Sequence, residues 1–106
     1  MSSCTPSQQS AAFKVAVQLL GDDWVLRIIA ALEDGPARFC QIERSILASN
    51  PVTLTDRLKK LEHCGLVSRQ EGESRSVVQY SLTVKGRGTL PILHALNSFA
   101  HEHLSN

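Results

Sequence analysis

From Ser7 to Leu20, apolar side chains at Phe13, Ala16, Val17 and Leu20 fall at the three- and four-residue steps of one helix face, and Gly21 ends the run. A second helix is predicted from an acidic cap at Asp22 or Asp23 to Gly35. Trp24, Val25, Ile28, Ile29 and Leu32 cover much of its circumference, which predicts the buried central helix. The segment "PARF" is too short for a helix and suits a stub of strand. In "CQIERSIL", Ile42 and Ile46 give a short helix one inward stripe. Asn50-Pro51 is a strong helix start, because Asn caps free N–H groups and Pro at the first position lacks the N–H that would be orphaned there. Over residues 51–64, Leu54, Leu58 and Leu61 form the inward stripe, while Val52, Asp56, Lys59, Lys60 and His63 point away.

After Gly65 the period changes. "LVSRQ" and "SVVQYSL" alternate as short antiparallel strands joined by "EGESR", a hairpin over residues 66–82. Thr83 then caps a last helix over residues 84–104, with Leu90, Leu93, Leu96 and Phe99 or Ala100 spaced for packing. Pro91 in that helix marks either a kink or its true start. The predicted fold is mainly α with a small β-hairpin wing, as one domain over residues 1–106, with residues 1–6 as a mobile arm. A helix, a turn, a second helix and a hairpin in this order make a winged helix-turn-helix. Its second helix suits the major groove, where a helix fits and base edges are distinguishable.

Charge sharpens this picture. The net charge of +1 is low for a nucleic-acid binder, but residues 50–88 hold seven Lys and Arg against four acids, and the remainder four against six. Such polarity presents one positive face to phosphates. The chain is 42% hydrophobic and 20% charged, the balance of a globular domain. With one Trp, one Tyr and three Phe it is poor in the rings on which single-strand binders stack bases. It has no glycine-rich phosphate loop, no paired-carboxylate pocket and no nucleophile with an evident base, so an enzyme is not expected. No signal peptide or membrane span is read, and three cysteines, an odd number, fit free thiols in a reducing cytoplasm.

The chain resembles the HxlR-type regulators, a branch of the MarR-like winged-helix proteins. The resemblance rests on Gly21-Asp22-Asp23-Trp24, on Gly35 to Phe39, on Leu54 to Arg69 ("LTDRLKKLEHCGLVSR") and on Tyr80 to Gly86 ("YSLTVKG"), in the family's order. Departures are Asp22-Asp23, where glycine and lysine are usual, and a short wing tip. The resemblance implies a cytoplasmic homodimer, joined through its first and last helices (residues 7–20 and 84–104), that binds double-stranded DNA at a palindromic operator. Carried onto this chain, Thr53, Thr55, Asp56 and Lys60 of the recognition helix (residues 51–64) would read bases. Arg57, Lys59, Arg69 and Arg75 would meet phosphates or the minor groove. Arg57 lies beside the leucine stripe, so bracing the wing is its alternative role.

Many members of that family carry a sensing cysteine before the first helix, which here is Cys4, so an oxidant or electrophile is an expected small-molecule partner. Cys40, read at the first position of its helix, faces unpaired N–H groups that favour thiolate, which makes the other subunit's Cys40 the expected disulfide partner. Cys64 at the end of the recognition helix is the fallback. A metal-sensing repressor and a protein-interaction module without DNA binding remain the alternatives. For metal, His94 and His101 are seven apart, ~10.5 Å along a helix, too far to share one ion. No metal and no cofactor are therefore assigned.

Overall fold

The computed structural model describes residues 10–46, 50–72 and 78–104. Helix α1 (Ala11–Leu20) starts at Ser10, whose hydroxyl accepts the Phe13 N–H at 3.0 Å. Helix α2 (Asp23–Ala31) follows almost at once, and its cap is Asp22, with Oδ1 accepting the Trp24 N–H at 2.9 Å. Val25, Ile28, Ile29 and Leu32 are wholly buried, so the segment read as the central helix is the core of the molecule. Around it pack Ile42, Leu54, Leu58, Leu61, Leu66, Val67 and Leu82.

The "PARF" segment divides between two elements. Strand β1 (Ala37–Arg38) runs directly into helix α3 (Phe39–Ser45), with Arg38 in extended conformation as its cap. Helix α4 (Pro51–His63) begins as its sequence demands: Asn50 Oδ1 accepts the N–H groups of Val52 and Thr53, each at 3.1 Å. It ends just as definitely. Gly65 takes the left-handed backbone (φ +83) that L side chains rarely adopt. The Gly65 and Leu66 N–H groups return to the carbonyls of Glu62 and Leu61, and buried Leu66 closes over buried Leu61.

Strands β2 (Val67–Glu71) and β3 (Val78–Leu82) pair antiparallel from Val67 opposite Leu82 to Glu71 opposite Val78. On the other edge of β3, β1 pairs as Ala37 to Tyr80 and Arg38 to Gln79, which gives a three-stranded sheet in the order β1-β3-β2. The hairpin is thus tied back to the helix pair by a strand two residues long.

The last helical segment is broken. A short α5 (Val84–Arg87) is capped by Thr83, whose hydroxyl accepts the Gly86 N–H, and α6 (Leu90–His103) starts afresh with Pro91 in its first turn. Pro91 marks the true start of the long helix, since a missing N–H is harmless in that turn. Gly86 is fixed by crowding: a Cβ there would stand 2.0 Å from the Leu66 carbonyl oxygen. No helix among the described residues is long and apolar enough to cross a membrane.

Candidate nucleic-acid interface

Helix α4 buries Leu54, Leu58 and Leu61 and leaves Val52, Thr55, Asp56, Lys59, Lys60, Glu62 and His63 exposed. Of the sequence-predicted readers and phosphate contacts, Thr55, Asp56, Lys59 and Lys60 are therefore exposed on α4. Thr53 is half-buried, and the Thr55 hydroxyl donates to the Pro51 carbonyl at 2.8 Å. Lys59 and Lys60 make no ion pair among the described residues, so their charge is open to a partner.

The wing meets this face along one flank. Thr55, Lys59 and Glu62 of α4 line a concave strip with Arg69 and Tyr80 of the hairpin. Arg69 stands opposite Tyr80 in the strand register and pairs with Glu71 at 3.1 Å. Hydrogen bonding to Tyr80, then to Glu71, raises the already high Arg69 pKa, so this exposed guanidinium stays charged at any working pH. Arg75 lies outside the described residues, as does Cys4.

Arg57 faces the opposite flank. Its Nε donates to Asp22 Oδ2 at 2.7 Å, and one terminal nitrogen donates to Asp56 Oδ2 at 2.8 Å. Its brace is therefore the cap of α2 rather than the wing. Asp22 is a residue that sequence reading assigned only to capping. Burial alone would raise its carboxyl, but the Arg57 guanidinium and the Trp24 N–H outweigh that and hold it below its ordinary value of 3.8. The available sequence signal was the charge type alone, because the two partners lie 35 positions apart.

The cysteines occupy different ground. Cys40 is exposed at the second position of α3, one place later than read, since Phe39 opens that helix. Cys64 is half-buried at the end of α4, in an apolar groove with Ala12, Val15 and Leu19 of α1. Lys85 donates to the Cys64 carbonyl at 2.8 Å, a cation at the negative end of α4. Glu33 of the turn after α2 hydrogen-bonds His94 of α6. Among the described residues no three His, Cys, Asp or Glu side chains gather as a metal site.

The profile of the HxlR-like helix-turn-helix family matches residues 19–106. The chain belongs to that family. With it comes the function of a DNA-binding transcriptional regulator of the helix-turn-helix type. The HTH-type transcriptional regulator YvaP of Bacillus subtilis (strain 168) is 36% identical over 97 residues, covering 91% of this chain and 90% of YvaP. The regulator YodB of the same organism is 36% identical over 88 residues, covering 82% of this chain and 79% of its own. Its reduced form superposes with a TM-score of 0.79 at 33% identity, over 92% of this chain and 96% of that one. YodB is also known in diamide-treated and quinone-bound forms. The redox regulator HypR in its reduced form superposes at 0.80 with 26% identity, over 87% of this chain and 92% of its own, and HypR is known in an oxidised form too.

Proposed function

We propose that this HxlR-family protein binds a palindromic operator as a homodimer, with α4 of each subunit in the major groove and the hairpin against the flanking backbone. The observation that carries this reading is the open polar face of α4, with Lys59 and Lys60 in no ion pair among the described residues, alongside Arg69 of the wing. Thr53, Thr55, Asp56 and Lys60 read base edges; Lys59, Arg69 and Arg75 neutralise phosphates or enter the minor groove. Arg57 carries the same sign of charge but is committed to two carboxylates. The subunits join through α1 and α6, which leave Phe13, Val17, Leu96 and Phe99 between 41% and 53% exposed in the single chain. The test is to sequence the genomic fragments that purified protein retains, then titrate the recovered site with salt. A shared inverted repeat and a steep loss of affinity with salt are expected. Retention of random fragments, or none, would contradict it.

A second function rests on the forms in which YodB and HypR are known. Cys4 is proposed as a thiol that senses oxidants or electrophiles, pairing with Cys40 of the other subunit or, failing that, with Cys64. A cross-link between subunits would fix the spacing of the two recognition helices, and half-site spacing on DNA is sensitive to that distance. After mild diamide, non-reducing electrophoresis should show a covalent dimer for wild type and none for Cys4→Ser. A Cys4→Ser protein that still cross-links places the sensor elsewhere.

A further inference from the structure

The ion pair between α4 and the cap of α2 bears on how the protein grips DNA. Arg57 sits in the middle of the recognition helix, where a cation would ordinarily be available to phosphate. Here its Nε and one terminal nitrogen are both spent, on Asp22 and on Asp56. The two carboxylates against one guanidinium leave the cluster with a net negative charge.

Asp22 is not free to let go. One of its oxygens caps α2 through the Trp24 N–H, and α2 is anchored by the wholly buried Val25, Ile28 and Ile29. The carboxylate is thus held in place by contacts other than its pair with Arg57. Its pair is also the most sheltered on the molecule's described surface, with side chains 28% and 18% exposed. The pairs Arg27–Asp23 and Arg69–Glu71 are at least 40% exposed on both sides, where solvent and counterions compete readily. A preset, partly desolvated carboxylate on a guanidinium is a strong charge-assisted bond. A passing phosphate must displace it to recruit Arg57.

We propose that Asp22 is a positioning residue that withholds Arg57 from the DNA backbone, so that each subunit binds with one phosphate contact fewer than its recognition helix could make. Sequence-independent affinity falls as a result, while base contacts by Thr53, Thr55 and Lys60, none of which pairs with Arg57, are untouched. Asp22 thereby raises the ratio of specific to non-specific binding. This rests on the reading of α4 as the DNA-facing helix.

The experiment measures binding of the full chain to a labelled mixed-sequence duplex by fluorescence anisotropy across a potassium chloride series. Asp22→Asn keeps a side-chain oxygen to cap α2, since Asn caps as well as Asp, but it presents an amide to Arg57 and loses the ion pair. Asp23→Asn removes the same charge one residue away and leaves Arg57 held. For Asp22→Asn the slope of log affinity against log salt is expected to steepen by about 0.9 for each bound subunit, with tighter binding at low salt. Asp23→Asn should show no such steepening. Adding Arg57→Ala to Asp22→Asn should cancel it. A slope for Asp22→Asn equal to that of Asp23→Asn would overturn the proposal, as would steepening that survives Arg57→Ala. If wild type shows no salt-dependent binding at all, the DNA-facing reading of α4 fails and the proposal falls with it.

Discussion

At the scale of single residues, Lys60 and Asp22 act through opposite logic. Lys60 is exposed and makes no ion pair among the described residues, so Lys60→Ala tests its proposed contact with DNA. The expected cost is about 1–3 kcal/mol on the selected operator, with relaxed preference at one position per half-site. Arg69→Ala on the wing should weaken all duplexes evenly, and equal affinity of both variants and wild type would contradict these assignments. Asp22 acts inside the protein. Its carboxyl lies below its ordinary 3.8 when folded, so the unfolded chain takes up the proton first. The stability it confers is fully present above that ordinary value and is lost as pH falls through the folded one. The gap between wild type and Asp22→Asn in urea unfolding should hold from neutrality to about pH 5 and close below it. An unchanged gap at strongly acid pH would contradict the pairing. Capping by Asn50, and by one of Asp22 and Asp23, was legible in the sequence, because a cap lies next to the helix it serves. The Arg57 brace was not, because only the packing of α4 on α2 brings its partner near.

At the scale of elements, the α2–α4 contact seats the helix proposed to face DNA. Leu58 is 1% exposed on the inward stripe of α4. Leu58→Ala is expected to cost about 2–5 kcal/mol, read as a lower denaturation midpoint with little change in slope. A loss under about 1 kcal/mol would mean that α4 is not seated as described. Helix periodicity, the Asn50-Pro51 start and the Gly65 stop were all readable, being properties of neighbouring residues. The third strand was readable only as a stub. Its pairing of Ala37 with Tyr80 links residues far apart in the chain, and two residues carry no alternation to match. The break between α5 and α6 was posed by Pro91, whereas the close approach of Gly86 to the Leu66 carbonyl is announced by no local pattern. The direct passage of β1 into α3 likewise moved Cys40 to the second helical position.

At the scale of the whole molecule, the terminal helices determine what one chain leaves unfinished. Helix α1 has no buried residue, and α6 buries only Leu93. Exposed Phe13, Val17, Leu96 and Phe99 are more apolar surface than a small domain usually leaves scattered, and the proposed two-fold pairing would cover both helices at once. Removing residues 90–106 should therefore give an insoluble or monomeric chain without operator binding, whereas a stable wild-type monomer in sedimentation at micromolar concentration would contradict the pairing. Dimerisation and groove entry together make a single geometric claim, because two copies of α4 related by a two-fold must meet DNA on one side. Hydroxyl-radical and base-methylation footprinting of the selected operator tests it most directly. Two protected major-groove segments, symmetric about a centre and about one helical turn (~34 Å) apart, are the expected result. One protected segment, or protection confined to the minor groove, would contradict the account.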